Sequence, residues 1–145
     1  MKVSFTVLGD PKGKQRPKFT TVGKYTRAVT PAQTVNYENL VKIEYQRQCG
    51  TFMFDAKVPL EMHIYAYLSI PKSVSNKKRV LMLNNKIRPT KKPDWDNIGK
   101  IIADSLNKIA FYDDAQIVDS IVRKFYSENP RIEVIIKDIG GVTGE

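Results

Sequence analysis

The sequence predicts an α+β fold: a small mixed or antiparallel sheet of about four strands carrying two main helices, in the order β-α-β-α-β-β. Two observations predict it. Lys2–Leu8, Leu60–Ile70, Gln116–Tyr126 and Arg131–Lys137 have the length and the alternation of strands. Thr30–Gln48 and Trp95–Ile109 carry helix start signals or an apolar stripe at helical spacing. The chain has 145 residues, one domain's worth, and enough to bury one core. The expected domain is 1–139, with 140–145 as a frayed tail.

In the first strand Val3, Phe5 and Val7 alternate against Ser4 and Thr6. A long polar loop is expected from Gly9 to about Arg27, with Lys12, Lys14, Arg16 and Lys18 in it; loops of that length usually have a use. Thr30 suits the N-cap of the next helix, Pro31 its first turn, and Gln33 completes a capping box, with an end near Gly50. In the following strand Leu60, Met62, Ile64, Ala66 and Leu68 form one face, and Glu61, His63, Tyr65, Tyr67 and Ser69 the other. Ser75–Leu83 fits one or two helical turns, and Asn84–Pro93 reads as irregular and exposed. In the second helix Trp95, Ile98, Ile102, Leu106 and Ile109 fall on one stripe, flanked by Ile101; Asp96, Lys100, Asp104 and Asn107 lie opposite. The last two strands are expected to form a hairpin through the SENP turn.

Composition removes several function classes. No apolar run approaches the roughly 20 residues of a membrane helix, and the start alternates like a strand and not like a signal peptide. A single cysteine, Cys49, rules out an internal disulfide and fits a reducing cytoplasm. One cysteine and one histidine are too few for a structural zinc site. His63, on the less apolar strand face, reads as a satisfied surface or interface histidine rather than a ligand.

The charge pattern contains a conflict. There are 24 Lys and Arg against 15 Asp and Glu, a net +9, and Lys72–Lys92 holds eight basic residues and no acid. Such a surface suits a polyanion. Yet Asp94, Asp96, Asp104, Asp113 and Asp114 crowd into the next segment, where they would repel phosphate. A divalent cation resolves the conflict, because carboxylates hold it and it holds phosphate. Helix capping alone would also account for Asp94 and Asp96. A salt bridge with Asp96 or Asp104 would account for Lys100, and solvation in a turn for Asp113 and Asp114. Phe19, Tyr25 and Tyr112 lie near the charges, where aromatic rings could stack on unpaired bases.

PDWDN, Lys100 four residues after Asp96, and YDDAQIVD together resemble the RusA family of Holliday-junction resolvases. Asp94, Asp96, Asn97, Lys100, Asp113, Asp114 and Gln116 match the family pattern in order. The basic PKGKQRPKF loop looks like the family's amino-terminal segment. The resemblance implies a small, dimeric, Mg²⁺-dependent endonuclease (Mn²⁺ being the alternative ion) of a kind often carried by phages and prophages. It implies Asp94, Asp96 and Asp114 as essential acids and metal ligands, with Asp113 beside them, and Lys100 as the catalytic lysine. Lys12, Lys14, Arg16, Lys18, Lys91 and Lys92 are the expected DNA contacts. The expectation is therefore a homodimer that resolves four-way junctions by paired symmetric cuts, in recombination, repair or phage DNA processing. Its rivals are a non-catalytic DNA-binding or packaging accessory protein, and a flap- or branch-specific nuclease using the same site.

Overall fold

The computed structural model describes residues 1–140. Its elements are β1 (Lys2–Leu8), β2 (Lys18–Val22), β3 (Tyr25–Val29), α1 (Ala32–Cys49), β4 (Leu60–Ser69), α2 (Asn76–Leu83), α3 (Trp95–Leu106), β5 (Ile117–Ser127) and β6 (Arg131–Asp138). A 3₁₀ turn, Asp114–Gln116, precedes β5. The α+β class is as predicted: a four-stranded sheet in the order β1-β6-β4-β5, a separate two-stranded ribbon, and three helices.

The alternation in β4 sorts its side chains as expected. Leu60, Met62, Ile64, Ala66 and Leu68 are buried, while Glu61, His63, Tyr65 and Tyr67 lie half-buried on the other face. Ile132, Val134 and Ile136 of β6 and Phe5 and Val7 of β1 complete the apolar face. Tyr37, Val41 and Tyr45 of α1 cover it at one end, with Tyr45 edge-on to Phe5 at 5.4 Å. Ile98, Ile101, Ile102 and Leu106 of α3 belong to the same core and are fully buried.

Several expectations are corrected. β5 and β6 are not a hairpin: β4 lies between them, parallel to β5 and antiparallel to β6. The parallel pair is joined by a crossover carrying α2 and α3, which parallel strands require. The presumed loop up to Arg27 contains the β2–β3 ribbon, closed by Gly23 and Lys24 with Gly23 at φ 62. Gly at that position allows the tight hairpin turn. Thr30 does not cap α1. Pro31 occupies the N-cap and no side chain caps the helix. The Ser75 hydroxyl does cap α2, accepting from Lys78 N. α3 ends at Leu106, short of Ile109, and Trp95 is 68% exposed despite its place on the apolar stripe. In the irregular segment after α2, Pro89 is buried. Of the tail expected to fray, residues 141–145 lie outside the described residues.

Candidate active site

The N-terminus of α3 carries the first two acids. Asp94 is the N-cap, yet its carboxylate makes no capping hydrogen bond. Asp96 in the first turn accepts only from the neighbouring Asn97 N–H, at 3.0 Å. Both are exposed at the positive end of the helix dipole, which favours negative charge there.

The basic loop docks on this helix end. The Lys14 N–H donates to Asn97 O at 2.9 Å. A Cβ on Gly13 would come within 2.9 Å of Pro93 Cβ and 3.0 Å of Asn97 Cβ, so only glycine permits the approach. The result is an open cleft of about 980 Å³ whose walls include Lys12, Lys14, Arg16, Lys18, Lys92, Asp94 and Asn97. Cations distant in sequence thus face one carboxylate of the PDWDN motif. Lys91 is adjacent but outside the cleft, its ammonium 5.7 Å from the Tyr126 ring centre.

Lys14 differs from the other loop cations. Its ammonium pairs with Glu38 of α1 at 3.2 Å and Asp104 of α3 at 3.3 Å, with the side chain 20% exposed. Burial acts against this charge, but the hydrogen bonds and charges of Glu38 and Asp104 together outweigh it and hold the pKa above the usual lysine value. Lys100 is more open and shares Asp104 at 3.7 Å.

The second acidic pair sits on the 3₁₀ turn. Asp113 caps it, accepting from Ala115 N at 3.0 Å, and this bond holds its carboxyl below the usual range. Asp114 is pushed up, first by its hydrogen bond to Asp113 and then by burial; Asp104 adds to the rise and Lys100 opposes it. Asp114, not Asp113, therefore shares the electrostatic surroundings of Lys100. Gln116 fixes the turn from beneath. Its side-chain oxygen accepts from Tyr112 N and Asp113 N, and its amide donates to Asp55 O and Val58 O. Asn107 at the end of α3 accepts from Asp114 N at 2.9 Å, tying the turn to the helix.

Lys124 was missed by sequence reasoning. It stands opposite Ala66 on the inward register of β5, donates to Lys91 O, and lies within the field of Asp94. Burial pushes its ammonium down, and Asp94 partly restores it. The available signal was a lysine in phase with the core-facing Val122.

Among the described residues no three Asp, Glu, His or Cys side chains converge closely enough to cage a metal. The donor chemistry nonetheless fits a hard cation. Asp94, Asp96 and Asp114 offer carboxylate oxygens and Asn97 an amide oxygen, and Mg²⁺ commonly uses one or two carboxylates with water and substrate phosphate completing its shell.

The sequence model of a family described as Endodeoxyribonuclease RusA matches residues 9–137. The chain belongs to the RusA endodeoxyribonuclease family. The matched span includes the docked basic loop, PDWDN, Lys100 and the acidic turn. The uncharacterized protein YqaN of Bacillus subtilis (strain 168) is 35% identical over 139 residues, 94% of this chain and 96% of its own length. RusA membership makes the chain an endodeoxyribonuclease by family. Among the described residues no helix is long and apolar enough to cross a membrane.

Proposed function

We propose that this RusA-family chain is a divalent-metal-dependent nuclease that resolves four-way DNA junctions, working as a homodimer that makes paired symmetric cuts. The observation that carries the reading is the docking of the basic loop, through Gly13 and Lys14 N, onto the helix end bearing Asp94 and Asp96. Cations that bind DNA backbone and the Asp94 carboxylate that repels it occupy one cleft, with Asp96 on the same helix end. That arrangement suits a site where a cation mediates between them.

Asp94 and Asp96 would hold Mg²⁺ or Mn²⁺ with water and phosphate, Asp114 would be drawn in as the ion binds, and Asp113 holds the turn. Such an ion, when bound, supplies an activated water and charge neutralisation at the phosphate. Lys12, Arg16, Lys18 and Lys92 position the DNA backbone through phosphate contacts. Lys100 extends from the polar face of α3, 61% exposed, and binds the scissile phosphate. Lys124 and Lys14 hold the two chain segments that frame Asp94. One chain offers one such site, and a junction has two equivalent strands to cut, so a two-fold dimer matches the substrate's symmetry.

The test is cleavage of four-way, three-way, flap and linear DNA with and without Mg²⁺. Symmetric nicks in the four-way junction only with metal are expected. Equal cutting of flaps would make the chain a general branch nuclease. Binding without cutting under any metal would make it an accessory protein.

A further inference from the structure

The β2–β3 ribbon takes no part in the core. All ten of its strand residues are exposed, with Phe19 at 76%, Val22 at 63% and Tyr25 at 81%. An isolated two-stranded hairpin gains little stability in water, so large apolar side chains placed there are not explained by folding. Residues 18–29 carry Lys18, Lys24 and Arg27 and no acid.

The register separates two faces. Val22 pairs with Tyr25, Thr20 with Arg27 and Lys18 with Val29, so these six side chains share one face. The other face holds Phe19, Ala28, Thr21 and Thr26, with the two threonine hydroxyls 3.4 Å apart. The first face therefore runs from an apolar tip, Tyr25 and Val22, through Arg27 to Lys18 at the base. Lys18 also lines the cleft containing Asp94. The ribbon is thus continuous with the basic cleft. Its combination of a ring with cations and no acid is the chemistry that grips backbone and stacks on bases.

We propose that this face of the ribbon contacts the branch point of the DNA substrate, with Tyr25 stacking on an unpaired base while Arg27 and Lys18 hold the adjoining phosphates. The inference rests on the junction-nuclease reading and adds to it the element that recognises the branch.

The test uses the full chain in metal-free buffer, where no strand is cut. The probes are a four-way junction carrying 2-aminopurine at the branch point and a linear duplex of the same sequence. Wild type is expected to prefer the junction and to change the 2-aminopurine emission. Tyr25→Ala should lose the emission change and bind the junction about tenfold more weakly, with linear binding altered by less than about twofold. Tyr25→Phe should restore both. Melting and sedimentation of each variant should match wild type, since Tyr25 is exposed. An unchanged emission response in Tyr25→Ala, beside a normal junction preference, overturns the role of the ribbon and leaves the nuclease reading standing. A loss of dimer mass in Tyr25→Ala also overturns it, and makes the ribbon a contact between copies. No junction preference in wild type overturns both readings.

Discussion

The C-terminal half of α3 is closed and its N-terminal end is open. In the closed half Ile101, Ile102 and Leu106 are fully buried, the Ser105 hydroxyl donates to Ile101 O, and Asn107 holds the backbone of Asp114. At the open end Trp95 lies largely in solvent, Asp94 caps no N–H, and Asp96 bonds only its neighbour's backbone. Polar groups in the closed half each satisfy a structural demand. The carboxylates of the open end satisfy little, yet a basic loop is held against them by a glycine that nothing larger could replace. Local conflict of that kind marks a functional site more often than a folding site. The two halves should therefore respond differently to substitution.

Outside the acidic residues, the largest effect is expected at Lys100, on the open polar face. Lys100→Ala should lower the single-turnover cleavage rate by about 10²- to 10³-fold, the range for losing one positioned charge at a phosphate, with junction affinity nearly unchanged. Equal rates at saturating enzyme would reduce Lys100 to a partner of Asp104. On the closed side, Gln116→Ala removes four hydrogen bonds from a buried amide. Urea unfolding should show a loss of about 2–3 kcal/mol. A loss below the error of the fit would mean the acidic turn holds itself.

Lys14 tests the boundary between the two regions. In sequence it is one of four alike cations; in the fold it joins the basic loop to α1 and α3. Lys14→Ala should cost about 1–2 kcal/mol, discounted for its partial exposure, and leave the salt dependence of DNA binding unchanged. Because its folded-state pKa is raised, this contribution is complete at neutral pH and is lost only as pH rises past the ordinary lysine value through the raised one. Neutralising Lys12, Arg16 and Lys18 should do the reverse, flattening the slope of log K against log salt by about one unit per phosphate contact. A flattened slope in Lys14→Ala alone would contradict its place in the fold. The smallest effect belongs to Gly99. An added Cβ would meet Val122 Cγ2 at 3.7 Å, an ordinary contact. Gly99→Ala should stabilise the chain by up to about 1 kcal/mol through helix propensity, and a destabilised variant would show that the helix needs glycine there.

What could be read beforehand follows the same division. β4 was legible because one of its faces is buried, which forces strict alternation. The β2–β3 ribbon was not, because ten exposed residues impose no burial period; only Gly-Lys between β-branched runs hinted at it. The SENP turn suggested a local hairpin, but β5 pairs with β4 through contacts that local sequence does not encode. The apolar stripe gave α3 its buried face but not its ends: Ile109 lies past the helix, and Trp95, though on the stripe, lies in solvent. The acidic residues were legible as a motif. The cleft that Asp94 shares with Lys12–Lys18 was not, since it depends on Gly13 meeting Pro93 and Asn97 far along the chain. Lys14 could not be told from a surface lysine, because its partners come from other elements, and Lys124 showed only its phase with Val122.

The measurement closest to the central claim pairs cleavage with stability in Asp94→Asn and Asp96→Asn. Each variant should lose Mg²⁺-dependent nicking of a four-way junction, bind that junction as tightly as wild type or more so, and unfold at the same urea concentration. Nicking at the wild-type rate in either variant would remove that residue from the metal site. Lost nicking together with a clear loss of stability would show that the open end of α3 is structural after all.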